Sequence, residues 1–173
     1  MLRRSPFVRP ADLVPAALLL AALLLAFLPA ASRAGSYASF GPQLGFSSGP
    51  GQILGGAHLL WAEIAPKLDF VPGAEIGVGN HETVVGLNGD FHYRIATNTQ
   101  WQPYVGGGIG LQFASRDNAG TAQDNTETRA GGQFIAGATV TTQGKSQFFA
   151  ELKLGLGDSP NFKGMAGWNF AHH

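Results

Sequence analysis

Residues 101–113 read WQPYVGGGIGLQF. Trp101, Pro103, Val105, Gly107, Ile109, Leu111 and Phe113 fall on one side. Gln102, Tyr104, Gly106, Gly108, Gly110 and Gln112 fall on the other. A period of two marks a β-strand, whose successive side chains leave opposite faces. The pattern recurs along the chain, cut by turn-forming residues. It predicts eight strands, over residues 39–46, 51–63, 67–79, 83–95, 101–113, 128–141, 148–156 and 162–170. The connections are SSGPG, IAP, GNHE, ATNTQ, the polar stretch 114–127, TQGK and GDSPN. Strand 51–63 is apolar without clean alternation, so its facing stays open between Leu60 and Trp61.

Most of these strands exceed the globular average of about 5–6 residues and suit a tilted membrane strand of about 9–11. An open sheet of eight long strands would leave two unpaired edges, and closure removes them. Eight strands is also the smallest size of bacterial transmembrane barrel. Alternation alone does not say which face is inside. A soluble barrel turns its apolar face inward; a membrane barrel turns it outward. Two features favour the second. The polar face is rich in glycine, which suits a crowded narrow interior. The apolar face carries Phe40, Phe46, Tyr93, Trp101, Phe113, Phe162, Trp168 and Phe170 near strand ends, as aromatic girdles at the two lipid interfaces would. The predicted fold is therefore all-β, an eight-stranded antiparallel up-and-down transmembrane β-barrel. In it, hydrogen bonds to both neighbours hold a strand even where glycine offers no packing. Gly106, Gly108 and Gly110 would leave room for bulkier interior groups, with Phe149, Met165, Arg94 and Arg129 as candidates.

The first residues add an export route. Residues 1–9 are basic, 16–28 (AALLLAALLLAFL) are uninterruptedly apolar, and Ser32-Arg33-Ala34 offers small residues before a cut at Gly35. These are the three parts of a signal peptide, and the apolar run is short of the roughly 20 residues of a spanning helix. Residues 1–34 are read as a cleaved signal and 35–173 as the barrel. Charged residues are 13% of the chain, and Lys+Arg equal Asp+Glu at 11 each. Removing the signal leaves a mildly acidic remainder, and no basic patch points to nucleic acid. With no cysteine, disulfides, thiolate metal sites and a cysteine nucleophile are excluded.

Parity places Lys67, Asp69, Glu75, Asp90, Arg94, Arg129, Glu151, Lys153 and Lys163 on the inner face. Five cations against four carboxylates nearly cancel. Buried charges are tolerated when paired, and eight strands leave just enough interior for side chains. The expectation is a charge-paired, closed lumen. No catalytic, cofactor or metal site is assigned. The glycine run 106–108 lacks the helix that a phosphate loop requires. His172-His173 reads as a chain end.

Two passages, LNGDFHYRI…WQPYVGGGIGLQF and FFAELKLGLGDSPNFKGMAGWNF, resemble small outer-membrane β-barrel proteins of the OmpA, OmpW and opacity-protein type. The likeness runs over about residues 36–170 and concerns the barrel. It implies a place in the bacterial outer membrane, with short turns toward the periplasm and longer loops outward. It also implies outer-membrane lipid as the surrounding partner, a monomer, and assembly by the barrel-assembly machinery. That machinery reads an aromatic at the end of the last strand. Phe170 matches, though Ala171, His172 and His173 follow it. The expected role is structural or surface-interacting and non-enzymatic. The alternatives are transport of small or apolar solutes, as in OmpW, and lipid A modification. Lipid A deacylases resemble one another in a His-x-Ser-Asn run near the last strands, which this chain lacks; His81-Glu82-Thr83 has no serine.

Overall fold

The computed structural model describes residues 38–49, 51–79, 82–116, 125–142 and 146–171. The proposed signal peptide and most of the polar stretch 114–127 lie outside them. Eight strands make up nearly all of the described chain: β1 (Ala38–Ser48), β2 (Gln52–Ala65), β3 (Leu68–Gly79), β4 (Glu82–Arg94), β5 (Trp101–Arg116), β6 (Asn125–Thr141), β7 (Ser146–Gly157) and β8 (Phe162–Ala171). Each pairs antiparallel with its sequence neighbours. β8 returns to β1, Phe170 opposite Phe40, and closes the barrel. The up-and-down order predicted from the alternation is the order observed. β5 and β6 run further than predicted, because Ala114–Glu127 and Ser115–Thr126 continue their ladder into the polar stretch.

The facing is that of a transmembrane barrel. Leu44, Ile53, Ile109 and Phe134 are 60–75% exposed on the outer wall. Buried positions are held mainly by polar and charged side chains, among them Gln43, His58, Asp90, Lys153 and Lys163. In water, this distribution would forfeit the hydrophobic stabilisation that drives folding. In lipid it satisfies both solvents, because the strands bond one another and the interior groups bond one another. The aromatic girdles are uneven. Trp61, Trp101 and Trp168, all three tryptophans of the chain, stand on the outer wall toward the end where β2–β3, β4–β5 and β6–β7 connect, called the short-turn end because the longest connection, after β5, is at the other. There Trp61, Phe70 and Phe91 form a run of ring contacts 5.4 and 5.0 Å apart. Phe148 and Trp168 lie 5.2 Å apart on β7 and β8.

β2 is settled by its neighbours. Ser39 pairs with Leu60, and Phe40 with Leu59, so Leu60 faces inward and Trp61 outward. Past Trp61 the β2–β3 register shifts, and Glu63 takes a left-handed φ of 55°. This is a bulge, which adds unpaired residues to one strand and bends it. The following turn takes Pro66 and Lys67, with Lys67 at φ 63°. The strand assigned to 67–79 therefore begins at Leu68, and Lys67 is exposed rather than part of the interior. That corrects its placement in the lumen network: the chain reverses before parity can carry the side chain inside.

Candidate functional site

The barrel interior is the candidate site. Its inner face is set by parity: Asp90, His92 and Arg94 on β4, Tyr104 on β5, Gln133 on β6, Glu151 and Lys153 on β7, and Lys163 on β8. The remaining eight of the nine predicted interior charges fall into four clusters, with contacts reaching beyond neighbouring strands.

In the middle, Lys153 Nζ lies 2.6 Å from Asp90 Oδ2 and 3.1 Å from Glu151 Oε1. Gln133 Nε2 donates to Asp90 Oδ1 at 2.6 Å. Tyr104 Oη donates to Glu151 Oε2 at 2.8 Å. The His92 ring stacks on Tyr104 at 4.4 Å and 15°, with Nε2 3.8 Å from Glu151 Oε2. A second pair, Lys163–Glu75, joins β8 to β3. Toward the long-loop end, Arg129 Nη2 lies 3.3 Å from Glu82 and 2.8 Å from Glu127. At the short-turn end, Arg94 Nη2 lies 2.7 Å from Glu63 Oε1, and its Nε lies 3.2 Å from Asp69 Oδ2. The Glu63 backbone N–H donates to Asp69 Oδ1 at 2.8 Å, so the bulge is part of this cluster. Glu63, Glu82 and Glu127 were not among the predicted interior charges. By pattern, Glu127 falls in the polar loop, Glu82 in a turn, and Glu63 in the strand of unclear facing.

Neutral side chains complete the network, and parity alone does not single them out. His58 bonds Asn169 across from β2 to β8, and its ring stands nearly perpendicular to that of Phe149, centroids 5.0 Å apart. The room is made by glycine. A Cβ on Gly108 would stand 1.9 Å from Asp90 Oδ1, one on Gly110 2.8 Å from Asn88 Oδ1, and one on Gly137 2.5 Å from the Tyr104 ring. Asp90 and Asn88, not the candidates Phe149, Met165, Arg94 or Arg129, thus fill the space over Gly108 and Gly110, while Gly106 lies against the backbone of Phe91 and His92. Phe149 and Met165 do cover glycines, but Gly167 and Gly45.

The interior is not filled evenly. A cavity of about 430 Å³ runs inward from the short-turn rim, at Ser39, Gln102 and Thr141, to Asn88 and Lys153. His58, His92, Tyr104, Phe149 and Glu151 line it. Beyond Lys153 the interior holds Asp90, Gln133, Glu75, Lys163, Ile135 and Met165, all buried. Among the described residues, no three of His, Cys, Asp and Glu converge to hold a metal ion.

A closed antiparallel barrel with an apolar outer wall and an ion-paired interior defines the class of small transmembrane β-barrels. Comparison with solved structures agrees on the fold. The chain is similar to Neisserial surface protein A (TM-score 0.62, 15% identity, covering 80% of this chain and 98% of that one). It is also similar to the N-terminal β-barrel domain of Pseudomonas aeruginosa OprF (TM-score 0.57, 16% identity, covering 79% and 96%). No family model matches the sequence, and no curated protein does.

Proposed function

We propose that this protein is an integral outer-membrane β-barrel with a structural or surface-interaction role and a lumen closed to through-flow. The observation that carries it is the bank of paired charges crossing the interior, Lys153 with Asp90 and Glu151, then Lys163 with Glu75. Paired charges held by further hydrogen bonds obstruct a narrow barrel. Residues 1–34 supply export as a cleaved signal. The short turns face the periplasm, and the connections after β1, β3, β5 and β7 face outward, including the longest, after β5. Phe170, at the end of β8, is the residue that the barrel-assembly machinery reads, and outer-membrane lipid surrounds a monomer. No chemistry is assigned to the interior histidines: His58 is bound to Asn169, and His92 lies against Tyr104 and Glu151.

The test is fractionation followed by gel mobility of the folded protein, boiled and unboiled. A heat-dependent shift in the outer-membrane fraction supports the reading; a soluble, non-shifting protein sinks it. The second reading, solute transport, is favoured by the cavity at the short-turn end. Steady conductance across a planar bilayer would promote it over the first. A mass change in lipid A on expression would promote an enzyme.

A further inference from the structure

The charges around the 430 Å³ cavity do not cancel. At its mouth, Arg94 stands between Glu63 and Asp69. At its floor, Lys153 stands between Asp90 and Glu151. The mouth cluster is open to water, since Glu63 is largely exposed, and of the charges that line the cavity Asp69 and Glu151 balance Arg94 and Lys153. The negative excess lies at the floor, where one buried lysine faces Glu151 and, just behind the lining, buried Asp90, out of bulk water. A buried excess of charge is costly unless something neutralises it.

A second observation concerns the histidines. His58 is 5% exposed and His92 6%, and both line the cavity. His58 Nε2 faces Asn169 Oδ1, an acceptor, so the ring proton sits on Nε2 and Nδ1 presents a lone pair. That Nδ1 has no hydrogen-bond partner, whereas His92 Nε2 has an acceptor beside it, Glu151 Oε2 at 3.8 Å. A lone pair needs a donor, and the charge excess needs a cation. Phe149 adds an aromatic ring to the lining, and such rings attract cations as well. The volume lies within the range of small-molecule sites, about 300–1,000 Å³.

We propose that this chamber binds a small organic ammonium ion, entering from the short-turn end. Its N–H group donates to His58 Nδ1, and its charge offsets the carboxylate excess at the floor. An anion is repelled by the same field, and a neutral polyol satisfies the lone pair but leaves the excess uncompensated. The inference goes beyond the structural role and does not depend on what the outer loops contact.

The experiment uses the full-length mature barrel folded in detergent, with putrescine as the probe and glutamate and glucose as comparison solutes. Titration calorimetry is expected to show saturable, one-to-one heat for putrescine alone. Glu151→Gln should weaken it about tenfold, the loss of one charge-assisted contact, whereas Glu82→Gln at the far end should leave it unchanged. Because Glu151→Gln can also disturb the fold, the wild type carries an independent readout. Diethyl pyrocarbonate modification of His58 and His92, mapped by peptide mass, should slow with putrescine and not with an equal ionic strength of KCl. No saturable heat, no protection, or equal protection by glutamate or glucose would each overturn the proposal.

Discussion

Lys153 is the interior side chain whose loss should be felt most, and the structure says by how much relative to its partners. It is 5% exposed and serves two buried carboxylates, Asp90 at 2.6 Å and Glu151 at 3.1 Å. Lys153→Met keeps the length and removes the charge. Both carboxylates then lose their cation inside the barrel, and breaking a buried pair in this way costs about 3–5 kcal/mol. Asp90→Asn is gentler, because Lys153 keeps Glu151; it loses a charge-assisted hydrogen bond worth about 1.5–3 kcal/mol. With an m value of about 2 kcal/mol/M in urea, Lys153→Met should lower the unfolding midpoint by about 1.5–2.5 M and Asp90→Asn by about 0.8–1.5 M. The double variant should cost less than the sum, since the lysine's removal no longer strands a charged Asp90. The assay is urea unfolding in lipid vesicles, read by the unboiled gel band and by tryptophan fluorescence. If Lys153→Met stays within about 0.5 kcal/mol of wild type, or if Asp90→Asn costs more, the paired-plug account is refuted.

Other outcomes follow from the same geometry. Gly108→Ala should destabilise by about 1–3 kcal/mol, because its Cβ would meet Asp90 Oδ1 at 1.9 Å and Gly89 O at 2.8 Å. Gly132→Ala, whose nearest neighbour is at 3.7 Å, should leave the same unfolding midpoint nearly unmoved. Ile109→Lys puts a cation near the middle of β5 on the outer wall, where it should cost about 2–4 kcal/mol in lipid; a soluble barrel would accept it at no cost in vesicle-refolding yield. Arg94→Met should cost less than Lys153→Met, because Glu63 is 65% exposed at the side chain and water can replace the cation there. Phe170→Ser should cut the amount reaching the outer membrane in cells while refolding yield in detergent is nearly kept, if the residue acts as an assembly signal. A parallel fall in both would instead assign it to packing against Phe40, 6.4 Å away.

Facing was legible wherever one parity class was apolar and the other polar or glycine. β5 shows this over residues 105–113, and β3 over 72–79. β2 was not legible, because Gly55, Gly56 and Ala57 remove the contrast; its register comes from pairing with β1. The bulge at Glu63 was invisible too, since nothing in AEIA marks a left-handed residue, and it brought Glu63 into the Arg94 cluster. Membership of the interior network could be read from parity; its partners could not. Which charge meets which depends on strand tilt and stagger around the barrel, and these join Asp90 to β7 and Glu75 to β8. The chamber was unreadable for a related reason. Its lining comes from all eight strands, so no single strand encodes it.

The interior bonds carry a consequence for how the molecule comes together. Glu75–Lys163 spans 88 positions of chain and His58–Asn169 spans 111. Each hairpin can form its own ladder without these contacts, and none of the contacts exists until β8 meets β1. A sheet of four or six strands would therefore hold Asp90, Glu75 or Lys163 with no counter-charge on a surface open to hydrocarbon. Such fragments are penalised in the bilayer and the finished ring is not. Assembly is thus pushed toward a single late step in which closure, neutralisation and insertion occur together, and contacts this distant in sequence make that step slow.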